Sequence, residues 1–164
     1  MSMTDINFVF RLFSSEETNR YSSYANLASI EDAVELYKQF IEPGKLSSFR
    51  LGVVLRKTGE LVGTLGFHGL VPRDGRAELG YDLVREYWGK GIMTEAVGEL
   101  VRYGFEEMGL NRIEATVDSE NEKSIRLLER LRFVKEGCLR EKHFYKGRFH
   151  DVLAYSLLLS DWRR

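Results

Sequence analysis

The turn at residues 87–96 reads Tyr87-Trp88-Gly89-Lys90-Gly91-Ile92-Met93-Thr94-Glu95-Ala96. It connects an alternating strand, 76–84, to an amphipathic helix that begins near residue 92. Gly89 and Gly91 let the main chain approach a ligand closely, and the first N–H groups of a helix have no acceptors within that helix. A pyrophosphate supplies such acceptors, so the stretch predicts an anion-binding turn between a strand and a helix.

The residues after Gly91 have the pattern of a long amphipathic helix. Its apolar stripe consists of Met93, Val97, Leu100, Val101, Gly104, Phe105 and Met108. Two common phosphate-binding motifs do not fit this turn. It lacks the form G-x-x-x-x-G-K-[ST] of a nucleoside triphosphate loop, and it lacks the G-x-G-x-x-G of a dinucleotide fold. The turn therefore indicates a different phosphorylated ligand.

The chain before the turn reads as strands and short helices. We expect a first strand over Ile6 to Leu12, a helix from Ser14 to about Asn26, and a second helix that starts at Ser29 and stops before Pro43. Strands over 49–56 and 61–70 flank a polar turn with a glycine, which predicts a β-hairpin.

The chain after the turn predicts a β-α-β unit followed by a second hairpin. The helix that follows Gly91 links strand 76–84 to strand 111–117, so we expect these two strands to run parallel. A last helix over about 121–131 leads to strands 133–144 and 149–159. This order predicts an α+β fold with a mixed sheet and helices on both faces.

Composition indicates a single domain over residues 1–164. A hydrophobic content of 43% in 164 residues is sufficient for a core, and a formal net charge of -1 gives no basic field for nucleic acid or membranes. The single cysteine, Cys138, excludes an internal disulfide and fits a reducing compartment. Residues 1–5 lack the features of a signal peptide, and no apolar run is long enough to cross a bilayer, so we expect a cytoplasmic protein.

Two blocks of sequence resemble the GNAT superfamily of N-acetyltransferases. Trp88-x-x-Gly91-x-Met93 occupies the frame of its coenzyme A signature, [RQ]-x-x-G-x-[GA], and W-G-K-G followed by M-T-E-A is similar to the ribosomal-protein alanine and serine N-acetyltransferase branch. Asn121-x-x-Ser124, followed by Leu127 to Phe133, resembles a second element of that branch, with Arg132 at the usual glycine. The resemblance covers roughly Phe8 to Leu159.

This resemblance implies a GNAT fold with a central mixed sheet. The sheet is expected to be mostly antiparallel, seven-stranded and splayed, with helices on both faces. The two parallel strands would separate into a V-shaped gap that holds the pantetheine arm of acetyl-CoA. Gly80, on the strand before the turn, is the expected bulge near that gap.

The resemblance also implies a set of residues that bind acetyl-CoA. The backbone of residues 82–84 would contact the pantetheine, and one of its N–H groups would polarise the thioester carbonyl. The amides of residues 89–94 would hold the pyrophosphate, with Lys90 as an added charge or as an exposed turn lysine. The full set is Asp82, Leu83, Val84, Trp88, Gly89, Lys90, Gly91, Ile92, Met93, Thr94, Asn121 and Ser124.

Acid and base candidates follow from the same resemblance. Ser124 matches a family acid beside the sulfur, although a serine there also fits the first turn of a helix, and Asn121 fits a helix N-cap. Glu78 and His143 are the two preferred bases, and His68 is a third with a suitable intrinsic pKa. Each of the three also fits an ordinary structural role.

The resemblance implies an enzyme that transfers acetyl directly from acetyl-CoA to a primary amine. A protein N-terminus of the ribosomal type is the expected acceptor. The alternatives are a small amine, such as a polyamine or an aminoglycoside, and a non-catalytic acyl-CoA-binding module. The histidines and Cys138 have no metal-ligand spacing, so no metal is expected, and both a monomer and a homodimer stay open.

Overall fold

The computed structural model describes residues 1, 3–22, 25–41 and 48–164. Its α-helices are α1 (Ile6–Ser14), α2 (Ile30–Ile41), α3 (Ile92–Glu106), α4 (Glu122–Arg130) and α5 (Leu159–Trp162). Its strands are β1 (Phe49–Val54), β2 (Leu61–Val71), β3 (Arg76–Leu83), β4 (Arg112–Asp118), β5 (Val134–Tyr145) and β6 (Arg148–Leu158). Short 3₁₀ turns cover Met3–Asp5, Pro72–Asp74 and Arg85–Tyr87.

All six strands form one mixed sheet in the order β1-β2-β3-β4-β6-β5. Only the β3–β4 pair is parallel, and the other pairs are antiparallel. The mixed sheet, the parallel pair and both hairpins are confirmed. In the described part of the chain the sheet has six strands rather than the expected seven.

The missing strand is the one predicted over Ile6 to Leu12, which is helix α1. Its apolar residues fit both an alternating and a helical period, so the sequence alone does not separate the two. The residues that are actually buried are Ile6, Val9, Leu12 and Phe13, which lie on one face of a helix. They pack against α2 and Val84, so a tertiary contact decided the conformation.

The helix predicted from Ser14 to Asn26 was also wrong. Residues 16–21 form turns, and residues 23 and 24 lie outside the described residues. The helix predicted from Ser29 is confirmed as α2, because Ser29 Oγ accepts from the Asp32 amide at 3.2 Å and Asp32 Oδ2 accepts from the Ser29 amide at 3.0 Å. This reciprocal pair caps the helix. Pro43 lies outside the described residues.

A gap opens in the middle of the sheet. The β3–β4 ladder ends at the pair Glu78 and Glu114, whereas β3 continues to Leu83 and β4 to Asp118. Beyond the ladder, β3 stays paired with β2 and β4 stays paired with β6. The two halves of the sheet therefore separate from Glu78 onward, as the expected splay requires.

The bulge expected at Gly80 was wrong. Gly80 pairs with Gly66 in regular register, and the irregularity in the β2–β3 ladder lies between His68 and Val71. A Cβ at position 80 would stand 3.3 Å from an Arg50 nitrogen and 3.4 Å from a His68 ring carbon. Glycine is therefore favoured at position 80, because the ends of the Arg50 and His68 side chains lie close to where a Cβ would stand.

The two faces of the splayed strands have different surroundings. On one face, apolar residues of β3 and β4 pack against α3 and α4 in the main core, which includes Leu79, Ile113, Ala115, Val97, Leu100 and Leu128. Glu78, Asp82 and Thr116 alternate with these apolar positions and belong to the other face. No helix in the described ranges is long and apolar enough to cross a membrane.

Candidate active site

A cleft of about 1530 Å³ occupies the gap between β3 and β4. Most of the predicted site residues line it: Glu78, Asp82, Leu83, Trp88, Gly89, Gly91, Ile92, Met93, Thr94, Asn121, Ser124 and His143. Val84 and Lys90 are not among its lining residues. The fold thus brings together residues that are far apart in the sequence.

The glycine turn has the conformation that the sequence predicts. Gly89 and Gly91 have φ values of 73° and 79°, and Gly91 is the N-cap of α3. Such left-handed values favour glycine. A Cβ at either position would meet no atom within 4 Å, so crowding is not the reason for these glycines.

Three of the residues predicted to contact the coenzyme have side chains that contact other parts of the protein. Lys90 Nζ lies 5.0 Å from the centroid of the Tyr87 ring. Val84 is buried between β3 and the helices α1 and α2, and its amide donates to the Val62 carbonyl at 2.9 Å. Met93 is buried in the main core. Met93 and Val84 therefore serve packing with their side chains.

Trp88 connects the glycine turn to β3 and α4. Its Nε1–H donates to the Leu83 carbonyl at 2.7 Å. Lys123 Nζ lies 4.2 Å from the centroid of the Trp88 ring, within the range of a cation–π contact. Lys123 also lines the cleft, and it was not among the predicted site residues. A lysine in the first turn of an amphipathic helix carries no distinguishing signal in a sequence.

Ser124 forms a hydrogen bond with Tyr81 across the cleft wall, with the two hydroxyl oxygens 2.5 Å apart. The Ser124 amide donates to Asn121 Oδ1 at 3.2 Å, so Asn121 caps α4. Burial raises the pKa of Tyr81 to about 12. The sequence analysis did not single out Tyr81, because its position on a strand predicts only that it lies on the apolar face.

Glu78 lies at the point where the strands separate, and both of its carboxylate oxygens have partners. Thr116 Oγ1 donates to Oε1 at 2.5 Å, and His68 Nε2 lies 3.5 Å from Oε2. The hydrogen bond from His68, and then that from Thr116, lower the pKa of Glu78. His68 is half exposed and lines the cleft. The structure therefore groups Glu78 with His68, the third base candidate.

His143 lies on β5, opposite His150 on β6. It lines the cleft and is half-buried, so it is accessible from the open side. Behind it, His150 Nδ1 lies 2.9 Å from Asp118 Oδ2, and the Tyr145 hydroxyl donates to the same oxygen. The Tyr145 and His150 rings stack at 3.7 Å. This buried group is a rigid wall for the cleft.

Asp82 forms a second buried polar group on the face that carries Glu78. Its carboxylate forms an ion pair with Arg50, whose Nε also donates to Thr64 Oγ1 at 2.9 Å. Burial raises the pKa of Asp82, and the Arg50 charge acts in the opposite direction. The Asp82 side chain therefore has a structural partner, and the Asp82 backbone pairs with Thr64 of β2.

The last hairpin and the segment after α1 meet at one end of the cleft. Lys146, in the β5–β6 turn, donates from Nζ to the carbonyl of Asn19 at 2.8 Å and to that of Arg20 at 3.3 Å. Arg85 forms an ion pair with Glu17 from the same segment. Residues 17, 18 and 20–22 of this segment line the cleft.

Over the ranges that the structure describes, His, Cys, Asp and Glu side chains form no group of three that is able to hold a metal ion.

Comparison with known proteins relates this architecture to acetyltransferases. The chain is 39% identical over 155 residues to the uncharacterized N-acetyltransferase YoaA of Bacillus subtilis, covering 94% of this chain and 88% of that protein. It is 32% identical over 117 residues to the [ribosomal protein uS5]-alanine N-acetyltransferase of Escherichia coli, covering 71% of this chain and 60% of that protein. It is 28% identical over 149 residues to the spermidine N(1)-acetyltransferase of Escherichia coli, covering 91% and 78%.

A solved structure is similar over the whole fold. The spermidine N-acetyltransferase from Vibrio cholerae, in complex with CoA and spermine, superposes with a TM-score of 0.89 at 26% identity, covering 100% of this chain and 95% of that one. The family described as acetyltransferase (GNAT) domain matches residues 1–134. The chain therefore belongs to the GNAT family of N-acetyltransferases.

Proposed function

We propose that this N-acetyltransferase transfers the acetyl group of acetyl-CoA to the N-terminal amine of a protein. The observation that carries the choice of acceptor is the charge pairing in the cleft. Among the residues that the structure describes, the six acidic side chains lining the cleft all have partners: Glu17, Glu78, Asp82, Asp118, Glu120 and Glu122. A polyamine carries several cations that need carboxylates, whereas a protein N-terminus brings one.

The donor is proposed to lie along the unpaired edge of β3. Beyond Glu78, this strand has a neighbour only on the β2 side. The Val84 amide donates to the Val62 carbonyl, and amides in an antiparallel pair alternate in direction. The Asp82 amide is therefore directed to β2, and the Leu83 amide is directed into the gap. Of residues 82–84, Leu83 is the proposed donor to the thioester carbonyl.

The glycine turn is proposed to hold the pyrophosphate. The amides of residues 91–94 begin α3 at the mouth of the cleft, where the helix dipole favours an anion. Lys123 is the described cation closest to the Trp88 ring, at 4.2 Å, and lies at the same end. Lys123, rather than Lys90, is therefore our choice for the added positive charge.

The reaction requires a neutral amine and a stabilised leaving group. The amine nitrogen attacks the carbonyl carbon, the C–S bond breaks, and sulfur keeps the electron pair. The proton released by the amine passes through water to the Glu78 and His68 pair, and the thiolate is protonated from solvent. His68 Nε2 lies 3.5 Å from Glu78 Oε2, so the two side chains are proposed to receive the proton together. His143 is the second candidate for the base.

A polyamine is the second candidate acceptor. It is supported by the similarity to the Vibrio cholerae enzyme, whose structure is a complex with CoA and spermine. That similarity covers 100% of this chain. A third possibility, a binding module without catalysis, predicts CoA binding and no turnover.

The test compares acceptors at one acetyl-CoA concentration and measures CoA thiol release. The panel holds ribosomal-protein N-terminal peptides that begin with Ala or Ser, the same peptides with blocked N-termini, spermidine and spermine. We expect saturable release with free peptides and none with blocked peptides. Faster thiol release with the polyamines than with the peptides would overturn the proposal that the acceptor is a protein N-terminus. CoA binding without thiol release would favour the binding module. An absence of CoA binding by calorimetry would overturn the whole proposal.

A further inference from the structure

Tyr81 and Ser124 come from elements that are distant in the sequence and meet at the cleft. Tyr81 lies on the part of β3 that has left β4, and Ser124 lies in the first turn of α4. Their hydroxyl oxygens are 2.5 Å apart, across a sequence separation of 43 residues. Both residues line the cleft. The contact therefore links the strand proposed to bind the pantetheine with the first turn of α4.

The geometry allows either hydroxyl to donate, and the acidity of the two groups favours one direction. A phenol is a much better donor than an aliphatic alcohol, and a serine oxygen is the better acceptor. At neutral pH the Tyr81 hydroxyl is protonated, because its pKa is raised to about 12. Tyr81 therefore donates to Ser124 Oγ, and the proton of Ser124 is directed away from Tyr81.

The alternation of β3 amides places the thioester close to this proton. The Leu83 and Tyr81 amides point into the gap, because the Asp82 and Val84 amides are used by β2. A thioester bound along these amides lies beside the first turn of α4, whose backbone is fixed by the Asn121 cap. Ser124 is thus held by two neighbours, one on its amide and one on its hydroxyl.

We propose that Tyr81 is a positioning residue for acetyl transfer, which orients the Ser124 hydroxyl so that it donates to the departing sulfur. This role rests on the function proposed above. As the C–S bond breaks, sulfur keeps the electron pair, and the Ser124 hydrogen bond stabilises the resulting charge. Tyr81 and Ser124 lose no proton, since the thiolate takes its proton from solvent as the amine proton leaves.

The test is a double-mutant cycle on kcat with Tyr81→Phe, Ser124→Ala and the double variant. We expect Tyr81→Phe to lower kcat about tenfold and Ser124→Ala to lower it about a hundredfold, with the KM for acetyl-CoA nearly unchanged. Because Tyr81 acts through Ser124, the double variant is expected to match Ser124→Ala. Ser124→Thr keeps a hydroxyl, so its kcat is expected to be close to that of wild type. Adding Tyr81→Phe to Ser124→Thr is expected to lower kcat again.

Tyr155→Phe is the matched control, since it removes a tyrosine hydroxyl that bonds Glu129 Oε1 at 3.3 Å outside the set of residues lining the cleft. Equal kcat in wild type and Tyr81→Phe would overturn the proposal, and so would a further loss when Tyr81→Phe is added to Ser124→Ala. Loss of CoA affinity in Tyr81→Phe, measured by calorimetry, would show a packing role and also overturn it. An inactive wild type would instead overturn the proposed function.

Discussion

Glu78 and His68 face each other across the β2–β3 pair, with Glu78 Oε2 3.5 Å from His68 Nε2. The second carboxylate oxygen accepts from Thr116 on β4, so Glu78 joins both halves of the splayed sheet. These hydrogen bonds lower the pKa of Glu78. The Glu78 carboxylate is therefore ionised over the neutral range.

We predict that Thr116→Val moves the acid limb of the pH–rate profile to higher pH. The variant removes a hydrogen bond that lowers the pKa of Glu78, so that pKa rises. The function of a carboxylate is lost as pH falls through its pKa, so the variant loses activity at a higher pH than wild type. The measurement is kcat/KM between about pH 4 and pH 8, the range in which carboxylates and imidazoles ordinarily titrate.

Thr58→Val is the control for this experiment, because Thr58 lies in the β1–β2 turn, where its hydroxyl accepts from the Glu60 amide. Its pH–rate profile is expected to overlay wild type. If the acid limb of Thr116→Val is not shifted, protonation of Glu78 does not determine the fall of kcat/KM at low pH.

A second prediction concerns stability at low pH. Arg112 binds both oxygens of Glu136, at 2.8 and 2.5 Å, and this pair lowers the pKa of Glu136 to about 2. The folded-state pKa lies below the ordinary value of 4.5, so the pair stabilises the fold above that value. The contribution is lost as pH falls from about 4.5 towards 2.

Glu136→Gln is expected to lower the free energy of unfolding by about 0.5–1 kcal/mol at neutral pH, because solvent screens a half-exposed pair. The difference from wild type should become small as pH falls to about 2, where about half of the wild-type Glu136 is protonated. Urea unfolding at several pH values measures this. Glu107→Gln, at an exposed C-cap, serves as the control, and a difference that does not depend on pH would contradict the prediction.

A third prediction is that the fluorescence of Trp88 reports the binding of CoA directly. The chain has two tryptophans, Trp88 in the cleft and Trp162 packed against Phe105 at 5.4 Å. We expect CoA to change the intrinsic fluorescence of Trp162→Phe and to leave that of Trp88→Phe unchanged. Trp88→Phe should also bind CoA about three- to tenfold more weakly, because it loses the hydrogen bond to the Leu83 carbonyl. A CoA-dependent signal that persists in Trp88→Phe would refute this placement.

The sequence predicted the elements around the glycine turn well, because local chemistry specifies them. Gly91 in a left-handed conformation, Asn121 as an N-cap and the alternation in β3 each act within a few residues. The strand predicted over Ile6 to Leu12 failed because its apolar residues satisfied two periods. Only packing against α2 and Val84 favours the helix.

The chemical partners within the site could not be predicted from the sequence. The Tyr81 and Ser124 contact and the Glu78 and Thr116 contact span 43 and 38 residues, and both depend on where the two strands separate. The pairing of Glu78 with His68 follows from the β2–β3 register. The register in turn includes an irregularity after His68, which no pattern of residues indicated. Family resemblance therefore gave candidates one at a time, and the fold grouped them.

Lys146 provides a final prediction, which separates acceptor binding from donor binding. Its ammonium holds the carbonyls of Asn19 and Arg20 against the β5–β6 turn, at the end of the cleft where we propose that the acceptor binds. Lys146→Met keeps an unbranched side chain that is one atom shorter, and it removes both hydrogen bonds. We expect the KM for the acceptor to rise about three- to tenfold while the affinity for CoA is unchanged, since the glycine turn and Trp88 lie on other elements. Steady-state kinetics with varied acceptor, together with CoA calorimetry, measure the two effects. Lys135→Met, at an exposed position on β5, should change neither. An equal loss of CoA affinity in Lys146→Met would mean that the hairpin supports the whole cleft rather than its acceptor end.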